Sequence, residues 1–468
     1  MSEKSSKTVA IVGAGPVGLA AAAHALERNL IPIVLEAGPS AGHAVRQWSH
    51  VQMFSPWEYN IDKAAERLLL AIGWNPPDPQ AYPSGGDLVA HYIEPLVTRT
   101  ALKDHVKTAS RVTAISRVGF DKVKSKGREA APFEIRYQNG KGHETLKADA
   151  VIDVSGTWFT PNPAGSNGLP GIGEADCSRR IAYGMPDVQG AARARYAGKT
   201  VAVLGAGHSA IGTLIDLVGL KDSAPDTVVI WLLRGDLPER AFGGGANDKL
   251  AARGELGAKF ADLVAKGQLH VEPSFGVTHL SDSEGRLRIG AGSAGCGRHV
   301  VADELIVATG FRPDVGFLGE LRLSLDPALD CPTALAPLID PNEHSCGTVR
   351  PHGARELAHP EPGFYIAGMK SYGRAPTFLT LTGYEQVRSI IADIAGDKEA
   401  AARVELVLPE TGVCSRSPVI AAEGCCSGPV NADASAYGAS NKSVKIEGRS
   451  SCGPSKIGQP KVTSSCCG

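Results

Sequence analysis

Two glycine-rich stretches carry the residue types and spacing best suited to chemistry. In GAGPVG, Gly13, Gly15 and Gly18 follow the β-branched run TVAIV, and Pro16 opens an Ala-rich segment reaching Asn29. Such spacing permits a tight turn at the first glycine, close backbone approach to a pyrophosphate at the second, and helix-on-strand packing at the third. Free N–H groups and the positive end of the helix would hold the phosphates. Glu36 closes the next apolar run, IPIVLE, where a carboxylate can accept from both ribose hydroxyls. The second stretch, GAGHSA, offers Gly205, Gly207 and Ser209 after TVAVL, and the following run, VVIWLLRG, ends in Arg234 rather than an acid. A guanidinium can bind the 2′-phosphate that a carboxylate repels, which favours NADPH over NADH.

Two such sites imply electron flow from NADPH to FAD. FAD is expected at the first, because VIDVSG, ending at Gly156, and LIVATGFRPD, containing Gly310, bracket the second unit. Both are apolar strands running into small-residue turns, as crossings between two domains would be. Trp48, Val112 and Gly368 are further expected cofactor contacts.

The elements needed to position these groups alternate strand and helix. Helices are expected over Asp87–Leu102, Asn247–Lys266 and Pro376–Asp397, the last with proline in its first turn. The expected fold is α/β, with two Rossmann-like dinucleotide-binding domains, the NADPH domain inserted into the FAD domain. Residues 1–160 form the first part of the FAD domain, 161–302 the NADPH domain, and 303–408 the second part of the FAD domain with a substrate loop. Residues 409–468, rich in Gly, Ser and Cys, read as a flexible tail. Lys and Arg number 48 against 49 Asp and Glu in 468 residues. That balance predicts no electrostatic footprint for nucleic acid. No stretch approaches ~20 uninterrupted apolar residues, so no membrane span is expected, and the expected location is cytoplasmic. The oligomeric state stays open.

Over roughly Thr8 to Asp397 the chain resembles the two-dinucleotide-binding-domain flavoproteins. The residues carrying this are GAGPVG, Glu36, Trp48 in AGHAVRQW, YPSGGDL (Tyr82–Leu88), GAGHSA and ATGFRPD. It is more similar to flavin-dependent monooxygenases than to disulfide reductases, whose CxxC or CxxxxC pair has no counterpart before the tail. The monooxygenase fingerprint, a Phe-x-Gly stretch ending in His-Ser, is replaced by SRRIAYGMPDV. The overall plan, the segment from HSCGTVRPHG to GMKSYGRAPTFLTLTGYEQ and the cysteine-rich end resemble bacterial flavin monooxygenases associated with arsenic resistance. That resemblance implies oxidation of arsenite or a related trivalent metalloid by NADPH and dioxygen through a flavin hydroperoxide. A small organic amine or thioether as substrate, and a thiol-rich metalloid-binding or mercuric-reductase-like protein, are the alternatives.

Six of the ten cysteines lie beyond Pro409. Within the body, Cys331 and Cys346 share a Pro-rich loop with His344, His352 and His359, and are the expected metalloid-capturing thiols, since soft sulfur prefers soft ions. In the tail, Cys425-Cys426 and Cys466-Cys467 are adjacent pairs. Neighbouring Cα atoms sit ~3.8 Å apart, short of the ~4.4–6.8 Å that disulfides usually span, so bridges within a pair would be strained. Transient metalloid binding is their expected use. No HxxxH or CxxC spacing supports a stable zinc site.

Overall fold

The computed structural model describes residues 6–236, 251–292, 297–343, 349–376 and 378–406. The first β-α-β unit is β1 (Thr8–Val12), α1 (Pro16–Glu27) and β2 (Ile31–Leu35). Next come β3 (Val106–Lys107), β4 (Arg111–Arg117), β5 (Phe133–Asn139), β6 (Gly142–Ala148) and β7 (Ala150–Asp153). The second unit holds β8 (Ile181–Tyr183), β9 (Thr200–Leu204), α2 (His208–Leu220), β10 (Val228–Leu232), α3 (Ala251–Ala265) and β11 (His270–Glu272). It continues through β12 (Val277–Ser283), β13 (Arg286–Ala291), β14 (Arg298–Ala302) and β15 (Glu304–Val307). Finally β16 (Phe364–Ile366) rejoins the first sheet and α4 (Thr380–Ala395) follows.

Strand order is β16-β7-β1-β2-β3 in one five-stranded sheet and β11-β10-β9-β15-β8 in the other. Every pairing in both is parallel. Parallel sheets need both faces covered, and the sequence alternates accordingly. Val9 and Ile11 pack into a core with α1 and α4, whereas Ala10 and Val12 join Phe133, Ile135 and Tyr137 of β5 in another. Val201 and Val203 likewise face α2 and Phe260 of α3, while Ala202 and Leu204 face Leu287 and Ile289 of β13. Each unit is therefore a parallel sheet between helices and a three-stranded antiparallel sheet, and the second unit is inserted into the first.

Three expectations are corrected. The second unit runs past residue 302, because β15 pairs with β9 and β8 rather than with the first sheet. A short apolar strand at a crossing suits either sheet, and only the ladder decides. Helix α4 starts at Thr380, not at Pro376, since its cap, Leu379, is extended at φ −103°, ψ 139°. The helix expected from Asp87 starts at Gly85, where Ser84 caps the Asp87 N–H and the Asp87 carboxylate answers the Ser84 N–H. It widens to a π turn over Val89–Ile93 just before Pro95. Proline has no N–H for the His91 carbonyl, and the Trp74 indole donates to that carbonyl instead, at 2.9 Å. Among the described residues, no helix is long and apolar enough to cross a membrane. Cys346, Cys425, Cys426, Cys466 and Cys467 lie outside the described residues, as does the whole expected tail.

Candidate active site

Gly13 lies at φ +107°, and a Cβ there would sit 2.8 Å from the Val154 carbonyl oxygen. A Cβ on Gly18 would sit 2.0 Å from the Gly13 oxygen, so only glycines let the turn, α1 and the β7 exit close on one another. Gly15 is the N-cap of α1, without a side-chain cap. Its Cβ position meets nothing within 4 Å, so open space lies over the unpaired N–H groups of the helix. Such a cradle accepts a pyrophosphate. The Glu36 carboxylate, 9% exposed, accepts from the Ala14 N–H at 2.8 Å and the Gly38 N–H at 2.7 Å. These bonds fix it beside the turn and leave lone pairs for ribose hydroxyls. The Ser110 N–H donates to the Glu36 carbonyl, which lays the approach to β4 and Val112 alongside. The residues present fit FAD, in the crevice where winding reverses between β1 and β7.

The second fingerprint repeats the construction. Gly205 lies at φ +140°, and a Cβ would sit 2.3 Å from the Ala308 oxygen. Gly207 caps α2 without a side-chain bond and has open space above it; Ser209 sits in the first turn. Arg234, exposed just beyond β10, is steadied by the Ser166 carbonyl at 3.2 Å. This set fits NADPH.

The two units meet at their crossings. The Asn162 N–H donates to the Gly310 carbonyl and the Arg312 N–H to the Thr160 carbonyl, both at 2.9 Å. Gly156 (φ +71°) and Gly310 (φ +93°) turn the chain there. Trp158 stacks on Phe311 at 4.9 Å, which makes the crossings a short, aromatic-faced ribbon. Phe54 meets His208 at the head of α2, 5.3 Å between rings. Trp48 is half-buried against Gly85, where a Cβ would lie 2.5 Å from its ring.

Sequence reading named Gly368 but missed the charged groups beneath it. A Cβ on Gly368 (φ +68°) would lie 3.5 Å from the Val17 Cγ1 of the first fingerprint, and one on Gly383 2.6 Å from the Val17 Cγ2, so the first turns of α1 and α4 converge. Below them Lys370 donates to Asp153 at 2.6 Å and to Ser155 at 3.0 Å; both partners of the ion pair are fully buried. The Asp153 carboxylate also accepts from the Ser155 hydroxyl at 2.7 Å. A charge closing the otherwise apolar run AVID was the available signal.

Cys331 is not placed for metalloid capture. It is fully buried among Leu329, Leu335 and Tyr372. Burial foremost, with Asp326 adding to it, pushes its thiol up to about 12, so it stays protonated at neutral pH. Burial likewise raises the Cys177 thiol. His359 is buried and pushed down to about 4, chiefly by desolvation. Among the described residues, no group of three His, Cys, Asp or Glu could hold a metal ion.

A family model described as pyridine nucleotide-disulphide oxidoreductase matches residues 10–334. No curated protein matches in sequence. Among solved structures, bacillithiol disulfide reductase from Bacillus cereus is 20% identical at TM-score 0.61, covering 84% of this chain and 99% of its own. The FAD-bound cadaverine monooxygenase of desferrioxamine biosynthesis from Erwinia amylovora is 14% identical at TM-score 0.58, covering 88% and 100%. Ornithine N-hydroxylase from Kutzneria sp. 744 is 17% identical at TM-score 0.54, covering 84% and 100%. At these identities the likeness is one of fold.

Proposed function

The chain belongs to the pyridine nucleotide-disulphide oxidoreductase family and is a flavin-dependent NADPH oxidoreductase, and from this we propose that it is a monooxygenase. The observation carrying this reading is the residue at the junction of the flavin-side turns. That residue is Val17, packed against Gly368 and Gly383, and the two described cysteines are buried elsewhere with raised thiols. A disulfide reductase passes its electrons through an exchanging thiolate. Here aliphatic packing occupies the place nearest the fingerprint.

Bound FAD would supply the two-electron chemistry that couples oxidation of NADPH to insertion of one dioxygen atom into the substrate, with the other released as water. The protein's part is to hold and enclose. Gly13, Gly15 and the head of α1 would grip the pyrophosphate, Glu36 the ribose, and Gly207, Ser209 and Arg234 the NADPH phosphates. The Trp158–Phe311 stack and the Phe54–His208 contact lie beside the two fingerprints and would shield bound cofactors from water.

The proposed substrate is arsenite or a related trivalent metalloid, whose lone pair can take up the oxygen atom. Its support is the resemblance carried by the GMKSYGRAPTFLTLTGYEQ segment and by Cys346 in the substrate loop. A second reading, oxygenation of a small amine or thioether, is favoured by the burial of Cys331. Aerobic turnover with NADPH and arsenite separates them. Arsenate formed in step with NADPH consumed supports the metalloid. Hydrogen peroxide in place of arsenate, alongside coupled turnover of an amine or thioether, supports the second reading.

A further inference from the structure

A buried relay links a histidine to the flavin-side turn. Gln386 of α4 accepts from the Gly368 N–H through its Oε1 at 2.7 Å. Because that backbone group can only donate, the amide orientation is set, and its Nε2 faces the His352 Nε2 at 2.8 Å and the Ser371 Oγ at 2.9 Å. The Ser371 hydroxyl donates in turn to the Gly368 carbonyl at 2.8 Å. His352 therefore accepts at Nε2, and its Nδ1–H donates to the Arg350 carbonyl at 3.1 Å. Gln386 and Ser371 are fully buried and His352 is 4% exposed.

We propose that His352 and Gln386 are positioning residues for FAD, and that protonating His352 releases the Gly368 turn and loosens the cofactor. A proton on the His352 Nε2 sets donor against donor, since Gln386 already points its Nε2 there. Turning the amide relieves that contact but presents N–H to the Gly368 N–H, which then loses its acceptor in a dry site. A Cβ built on Gly368 would lie 3.5 Å from the Val17 Cγ1, so this turn neighbours the FAD fingerprint and the disturbance falls beside the cofactor cradle.

The surrounding groups permit such a switch. Those facing His352 are Arg350 on its own segment, Glu356 on the short helix Ala354–Leu357, and Glu385 on α4, which is paired with Arg388; the Tyr372 ring lies 5.7 Å away. Burial outweighs the two carboxylates and holds the imidazole below its ordinary value, so the neutral form is native. Sign follows: the relay is intact above the unfolded value of ~6.5 and is lost as pH falls through the depressed folded one. The inference needs FAD at the Gly13 turn but holds whatever the substrate.

The test is FAD affinity, read by flavin fluorescence on holoprotein between about pH 7.5 and about pH 5. Wild type should weaken by about tenfold or more as pH falls, one pKa unit of coupling being a factor of ten. His352→Gln, which cannot titrate, should hold FAD with a flat profile. Gln386→Glu should reverse the trend, because its carboxylate accepts from Gly368 and pairs with protonated His352, so affinity falls as pH rises. A flat wild-type profile, or the same acid loss in both variants, overturns the proposal. Failure of wild type to bind FAD at about pH 7.5 would instead overturn the cofactor assignment.

Discussion

At the scale of single residues, buried charges set the sharpest expectations. Lys370 and Asp153 share one dry site beneath the FAD turn. Lys370→Met strands the carboxylate and should cost about 3–5 kcal/mol in urea unfolding, most of it recovered by adding Asp153→Asn. Glu361, also fully buried, lies between Arg128 at 2.6 Å and Arg117 at 2.8 Å. Burial works to raise its carboxyl, but the Arg128 and Arg117 guanidiniums outweigh burial and hold it below the usual range. A depressed folded value means stability present above ~4.3 and lost as pH falls through the folded value. Glu361→Gln should therefore lower stability at neutral pH and flatten the acid limb of a thermal-melting profile. Arg234→Ser should cut the preference for NADPH over NADH in kcat/KM by about tenfold, leaving the flavin spectrum unchanged. Gly13, Glu36 and Arg234 were legible in the sequence because spacing fixes their place on a strand-turn-helix. Cys331 was not, since a cysteine in a Pro-rich loop reads alike whether its side chain points to solvent or to core. Asp153, the partner of Lys370, and His352, a partner of Gln386, lie 217 and 34 positions away along the chain, beyond the reach of any local pattern.

At the scale of elements, close approach decides. Gly18 and Gly205 are both glycines in dinucleotide turns, yet each serves a different sheet. Gly205→Ala should weaken NADPH binding while the protein stays yellow, and Gly18→Ala should strip FAD; flavin absorbance and NADPH titration distinguish them. Overpacking of this kind typically costs about 1–3 kcal/mol, enough to lift a helix from its strand. Strand faces followed directly from alternation, as Val9 and Ile11 against Ala10 and Val12 show. Helix ends did not. Pro376 resembles a first-turn proline, but the helix opens at Thr380 behind an extended Leu379, and the π turn before Pro95 is met by Trp74 from 17 positions away.

At the scale of the molecule, two parallel sheets each carry one fingerprint and are joined by a ribbon of two crossings. The insertion was readable from the bracketing apolar strands. Membership of β15 in the second sheet was not, because its composition suits either one. That arrangement is shared with disulfide reductases, so the proposed monooxygenase reading turns on dioxygen, rather than a dithiol, being the destination of the electron pair from NADPH. The direct test is NADPH oxidation by the FAD-loaded protein, followed in air with dioxygen uptake and again without air in the presence of a low-molecular-weight disulfide. Equimolar loss of NADPH and dioxygen in air, with no turnover under the anaerobic condition, is the predicted result. Anaerobic NADPH oxidation matched by thiol release would contradict it.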